Sequence, residues 1–159
     1  EMNLVGVMGR ETVLRELLEA VRGKYDYILL DCCPSLGTLT ANALTAADEV
    51  IIPMLAHYLS IKGLEQLLAT IGLVRRKFNP SLQISGILIT MANMRTAYSR
   101  DIVALLRESY GEKLRIFDTI IPESIRAAET SAEGKSIYLH DPIGKVSAGY
   151  SAFTLEVAS

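Results

Sequence analysis

Tyr25-Asp26-Tyr27-Ile28-Leu29-Leu30-Asp31-Cys32-Cys33-Pro34-Ser35-Leu36-Gly37 is the stretch on which the fold reading turns. A short apolar run closes on an aspartate and then breaks into a Pro/Ser/Gly turn. Strands buried on both faces read as continuous apolar runs rather than alternating ones, so residues 27–31 are expected to form such a strand. In open α/β sheets, ligands bind beyond the carboxyl ends of the strands. Asp31 stands at that end, where its carboxylate faces a ligand rather than the core.

On both sides of this stretch the hydrophobic period alternates between helix and strand. Leu14, Leu17, Leu18 and Val21 share one face of a helix over residues 10–22, which Gly23 ends. Leu39, Ala43 and Ala46 mark a short helix after the turn, and residues 50–54 a second strand. Ser60 is read as the N-cap of a long helix with Ile61, Leu64, Leu67, Leu68, Ile71 and Val74 inward. Arg75, Arg76 and Lys77 suit the negative end of its dipole, and Asn79-Pro80 stops it. A third strand is expected over 84–91 and a fourth over 116–121. Helices are expected over 98–110, with Ile102, Val103, Leu105 and Leu106 inward, and over 124–132 and 145–157. This alternation predicts an α/β fold, a mostly parallel sheet with helices on both faces and right-handed crossovers.

Composition narrows the class. The 159 residues are 50% hydrophobic and 21% charged, a globular profile with enough material for a core. The net charge of −2 lacks the basic excess of a dedicated DNA-binding module, so any nucleic-acid contact must come from a local patch. No run approaches the roughly 18 apolar residues of a membrane span. Two adjacent cysteines, Cys32 and Cys33, are too few for a disulfide framework and point to a reducing, cytoplasmic setting. They also lack the converging ligand spacing of structural zinc; buried free thiols are the expected reading.

The string Asp-x-x-Pro-Ser-Leu-Gly from Asp31, continued by Leu39-Thr40-Ala41-Asn42-Ala43-Leu44, resembles the ParA/Soj-type partition ATPases, relatives of MinD among the P-loop nucleotidases. Ile52-Pro53, Lys62-Gly63-Leu64, Ile89-Thr90-Met91, Arg95-Thr96, Ile121-Pro122 and Ala132-Glu133-Gly134-Lys135 extend the resemblance in order, from about residue 10 to residue 157. It implies an incomplete P-loop nucleotidase fold of the SIMIBI type. The pattern Gly-x-x-x-x-Gly-Lys-Ser/Thr, whose amides cradle phosphates, does not occur in these 159 residues. The family's phosphate loop precedes its Walker B strand. Residues 1–159 are therefore expected to be the C-terminal portion of one ATPase domain, inactive toward ATP alone.

The resemblance implies roles for individual residues. Asp31 is the Walker B aspartate, reaching Mg²⁺ through a water, and Pro34-Ser35-Leu36-Gly37 is the switch II loop, with the Gly37 amide toward the γ-phosphate. Cys33 replaces a common second proline there. Thr90, Met91, Pro122 and Ser124 are the adenine contacts, although Ser124 stands where the family carries asparagine and serves equally as a helix N-cap. Arg95 and Arg126 match two arginines that bind DNA phosphates without sequence preference. Glu123 and Glu129 threaten to pair with Arg126; Arg100, Arg107, Lys113 and Arg115 could extend the patch, interrupted by Glu108 and Glu112. Lys145 and Tyr150 are assigned to packing.

The implied protein is an ATP- and Mg²⁺-dependent partition ATPase of a bacterial chromosome, plasmid or mobile element. It would form a homodimer, bind non-specific DNA and answer to a ParB-type centromere-binding partner. A MinD-like membrane-cycling ATPase is the second reading; it calls for a basic amphipathic C-terminal helix, which Leu155-Glu156-Val157-Ala158-Ser159 does not resemble. A non-enzymatic dimerisation or interaction module is the third.

Overall fold

The computed structural model describes residues 9–33, 35 and 37–158. It divides into two compact units, residues 1–50 with 63–83, and residues 51–62 with 84–159.

In the first unit, α1 (Val13–Glu19) is followed by a 3₁₀ turn at Arg22–Lys24 and by α2 (Thr38–Ala46). The two helices are joined through Asn42, buried on α2. Its Nδ2 donates to the Arg10 carbonyl at 2.6 Å and its Oδ1 accepts from the Leu14 amide at 3.2 Å. A second buried amide, Asn79, donates to the carbonyls of Leu44 at 3.0 Å and Ala47 at 2.7 Å, tying off the end of α2. Buried amides of this kind hold position because leaving either one unpaired costs about 1–3 kcal/mol. The helix α3 (Tyr58–Lys77), of which residues 63–77 fall in this unit and 58–62 in the second, buries Ile61, Leu64, Ile71 and Val74, with Leu67 and Leu68 half-buried, as its period predicts. Its N-terminus is not capped by Ser60. His57 does this, its Nδ1 accepting from the Leu59 amide at 3.2 Å, because the helix begins three residues earlier than the hydroxyl pattern suggests.

The expected strand over residues 27–31 carries no ladder among the described residues; the chain there is irregular. Tyr27 is 77% and Leu29 91% exposed. An apolar run becomes a strand only when neighbouring backbone pairs with it, and none of the three described strands does so. Leu17, expected inward on α1, is also exposed, and α1 ends at Glu19, before Gly23.

The second unit holds residues 51–55 of β1 (Glu49–Leu55) together with β2 (Gln83–Ala92) and β3 (Ile116–Pro122), in the order β1-β2-β3. β2 and β3 are parallel, and β2 is central. That place explains its burial: Gly86, Ile87, Leu88 and Ile89 are all buried in succession, whereas the edge strand β3 alternates. Gly86 is required by a close approach, since a Cβ there would lie 2.8 Å from the ring of Phe117. Phe117 is fully buried, meets Phe153 edge-on at 5.0 Å and carries the Arg115 guanidinium 4.8 Å over its ring.

The β2–β3 register is irregular in two places. Ile87 pairs with Ile116 and Ile89 with Ile120, so β3 carries the extra residues. Their orphaned amides are taken by one side chain: Glu156, on α7 (Lys145–Ala158), accepts from the Asp118 amide at 2.7 Å and the Thr119 amide at 3.0 Å. Burial works to raise the pKa of Glu156, but these amides and the Arg115 cation together hold it below the ordinary carboxylate range. Farther along, Ile89 pairs with Ile120 and Ala92 with Pro122, and here β2 carries the extra residue. α7 packs on β3 through Val146 and Phe153, and Gly149 lets its backbone approach Ile121. Lys145 and Tyr150, expected to pack, are exposed, because they fall on the outer face of that helix.

The remaining helices are α4 (Ala97–Tyr110), α5 (Ile125–Glu133) and α6 (Ile137–His140). α4 buries Ile102, Val103 and Leu106 but leaves Leu105 40% exposed, one position beyond its inward stripe. α5 ends in an αL cap at Gly134, φ 61°, a conformation glycine adopts without cost. No described helix is long and apolar enough to cross a membrane.

Candidate functional site

The residues expected to carry chemistry fall in both units, and each set is described on its own. In the first unit, Asp31 is exposed, and its carboxylate has no hydrogen bond or ion pair among the described residues. A carboxylate with all its lone pairs available fits Mg²⁺, which keeps several waters and takes few protein ligands. Cys32 and Cys33 are exposed rather than buried, because the segment that carries them joins no sheet among the described residues. The Cys32 thiol is pushed up by partial burial and then by the neighbouring Asp31 and Cys33 charges, which opposes thiolate chemistry. The described residues contain no group of three or more His, Cys, Asp or Glu side chains able to hold a metal ion. Pro34 and Leu36 of the expected switch loop lie outside the described residues. Gly37 is the N-cap of α2, its carbonyl accepting from the Ala41 amide at 3.1 Å, and the Thr40 hydroxyl donates to the Ser35 carbonyl.

In the second unit, Thr90 and Met91 close β2 and Pro122 closes β3. Ala92 and Pro122 stand opposite each other, and the Glu123 amide donates to the Ala92 carbonyl at 3.3 Å. Three of the four expected base contacts are therefore brought to one strand-end junction. Met91 sits there at φ 48°, the one non-glycine residue with positive φ among those described, and its side chain is 62% exposed. A backbone held in that region costs of order 1–3 kcal/mol and is typical of ligand-holding positions. The second register irregularity falls on the same residues. Ser124, the fourth, is the N-cap of α5; its hydroxyl oxygen accepts from the Ala127 amide at 3.4 Å. Its structural role is thus filled within the chain.

Arg95 is exposed on the loop after β2, and its guanidinium has no carboxylate partner among the described residues. Arg126 is exposed on the first turn of α5, but it is not free: its Nη1 donates to Asp141 Oδ1 at 3.1 Å. Neither expected competitor supplies this pair. Glu123 is exposed without engaging Arg126, and Glu129 instead faces His140 Nε2 at 3.0 Å. The Glu133 carboxylate lies on the other ring nitrogen at 3.4 Å. Its pKa is lowered first by the Lys135 ammonium and then by the His140 charge. The proposed extension of the basic patch is largely consumed inside the chain. Arg107 lies 3.8 Å from Asp118, and Arg115 pairs with Glu156.

Asp141 was not legible as the partner of Arg126, since the two are 15 residues apart and meet only through the α5–α6 turn.

A protein-family description, "AAA domain", matches residues 1–84. Among curated proteins, the chain is 41% identical over all of its 159 residues to the sporulation initiation inhibitor protein Soj of Bacillus subtilis, covering 62% of that protein. It is 41% identical over 157 residues to the chromosome partitioning protein ParA of Myxococcus xanthus, covering 55% of it. The chain thus spans about 60% of the length of the curated relatives it matches. Among solved structures, it is similar to the cobyrinic acid a,c-diamide synthase of Mycobacterium smegmatis with bound ADP and magnesium. The TM-score is 0.79 at 33% identity, over 96% of this chain and 55% of that one. A plasmid partition protein from Borrelia burgdorferi matches with a TM-score of 0.61 at 26% identity, over 85% of this chain and 51% of that one. A Cyanothece McdA structure matches at 0.83 with 19% identity, which speaks to the fold alone. With the family match over more than half of its residues and relatives aligned along its whole length, the chain belongs to the AAA domain family, in the branch of Soj and ParA.

Proposed function

We propose that this chain is part of an ATP- and Mg²⁺-dependent ATPase that partitions chromosomal, plasmid or mobile-element DNA in the bacterial cytoplasm, on the nucleoid. The observation that carries the reading is identity of 41% to Soj over every residue of the chain, with Asp31 and Arg95 both exposed and free of carboxylate or cation partners among the described residues. Bound ATP and Mg²⁺ would supply the phosphoryl group and the charge that neutralises it. Asp31 would hold the ion's water shell and the Gly37 amide would face the γ-phosphate. The strand-end residues Thr90, Met91 and Pro122 would flank the adenine, with Ser124 contributing through its position more than its hydroxyl, which is taken by the cap. Arg95 and Arg126 would meet DNA phosphates; homodimerisation would bring two such surfaces to one duplex, and a ParB-type partner would stimulate hydrolysis. The neighbours with bound ADP or ATP analogue and magnesium support the nucleotide assignment.

The test is steady-state ATP turnover by the complete protein, with and without DNA and partner, against Asp31→Ala. Loss of turnover in the variant supports the reading. Wild-type turnover in the variant, or turnover indifferent to DNA and partner, rejects it.

A further inference from the structure

We propose that Arg100 is a positioning residue for Arg95: it fixes the loop that presents Arg95 to a phosphate, without itself contacting DNA. The proposal rests on the DNA reading above. Arg100 stands one turn into α4, and its side chain folds back over the helix N-terminus. Its Nη1 donates to the Met94 carbonyl at 3.1 Å and to the Arg95 carbonyl at 2.9 Å. A guanidinium NH₂ carries two hydrogens, so this one nitrogen is filled by the two carbonyls. The loop is held from its other side as well. Asn93 Oδ1 accepts from the Arg95 amide at 3.3 Å, and the Thr96 hydroxyl donates to the Asn93 carbonyl at 2.9 Å while capping α4 through the Ser99 amide.

Electrostatics gives the arrangement a purpose. Two carbonyl oxygens beside Arg95 would repel an incoming phosphate. Arg100 turns both toward a cation and cancels their dipoles locally. The Arg95 side chain is left as the outward group of a loop whose backbone is already ordered, which lowers the entropy to be lost on binding. Arg107 and Arg115 do not share this role, because they are paired with Asp118 and Glu156.

The experiment compares Arg95→Ala, Arg100→Ala and the double variant of the complete, ATP-bound protein, using two short duplexes of unrelated sequence over a salt series. Amide hydrogen exchange at residues 94–96 is read without DNA. Arg100→Lys, which keeps the charge on a single nitrogen, is the milder variant should alanine disturb α4. Arg100→Ala is expected to speed exchange in the loop and weaken binding to both duplexes about tenfold. The double variant is expected to bind no more weakly than Arg95→Ala, because Arg100 acts through it. Arg100→Lys should fall between wild type and alanine in both readouts. Unchanged exchange in Arg100→Ala, or additive losses with a further drop in salt slope in the double variant, overturns the proposal. Wild-type DNA binding by Arg95→Ala, with fast exchange in Arg100→Ala, overturns the DNA reading instead and leaves the brace standing.

Discussion

The segment around Asp31 and the junction at the ends of β2 and β3 were read from the same kind of pattern, an apolar run that stops at a polar turn. They differ in what supports them. The Asp31 segment has the more specific motif, yet its backbone joins no ladder among the described residues, and Tyr25, Tyr27 and Leu29 lie exposed. The β2–β3 junction has a looser motif, but it is over-determined: a strand pair, the Glu123–Ala92 hydrogen bond, a capped helix start and a braced loop. Motif strength reports which chemistry a residue type is suited to. Positional support comes from neighbours that the motif does not contain.

Substitutions can break or sharpen this contrast. The largest effect is expected under the junction. Phe117→Ala should destabilise the second unit by about 3–5 kcal/mol, as removal of a fully buried ring does, measured by denaturant unfolding; a loss under 1 kcal/mol would show that the junction does not depend on this core. Asp31→Ala is the opposite case. It should lower ATP turnover of the complete protein by about a hundredfold, the scale of a lost metal-site group, and leave the melting temperature unchanged, because Asp31 has no hydrogen-bond or ion-pair partner among the described residues. A melting shift of several degrees would make Asp31 structural. Assayed alone, the 159-residue chain is expected to show no turnover.

A smaller effect is expected from the arginines. Replacing Arg95 and Arg126 together should weaken DNA binding about tenfold or more on unrelated sequences and reduce its salt slope by about two. Filter binding over a salt series checks this, with nucleotide affinity unchanged as the control. Arg126 should contribute the lesser share, since it must leave Asp141 to meet a phosphate. Equal or greater loss from Arg126→Ala alone would mean that the Asp141 pair holds it in the binding pose.

The smallest effect concerns acid. The Glu156 carboxyl is held below its ordinary range, so its contribution is complete above the unfolded value of about 4.3 and is lost as pH falls through the lower folded value. Glu156→Gln should remove about 1 kcal/mol at neutral pH, since an amide oxygen accepts from one backbone N–H while its NH₂ opposes the other. The difference between variant and wild type should shrink toward pH 3. A constant difference across that range would assign the loss to packing.

Legibility followed local information. Residues 84–91 were expected to be a strand and Gln83–Ala92 is one, because β2 is central and its run of Gly86 to Ile89 is buried on both sides. The run at 27–31 has the same character, but pairing is a property of the neighbouring backbone, which no residue pattern encodes. Ser124 was legible as a cap because the hydroxyl and the helix start are adjacent; His57 was not, because Ser60 offers the more familiar cap in the wrong turn. Arg95 and Arg126 are both exposed, as phosphate contact requires, but the choice of Asp141 over Glu123 or Glu129 as the partner of Arg126 depends on how α5 and α6 meet.

The two register irregularities also set a length rule. From Ile87 to Ala92 the central strand advances five positions, while its neighbour advances six from Ile116 to Pro122, and the two still finish level. The strands work like a vernier, one scale absorbing surplus early and the other late. Substitutions at 118 and 119 can be tolerated if Glu156 keeps their amides. With both irregularities kept, deleting a single residue there would leave Pro122 one position, about 3.3 Å, short of Ala92 and turn every side chain beyond it to the opposite face. At Asp118 and Thr119 the spacing is therefore under tighter constraint than the identity of the residues that fill it.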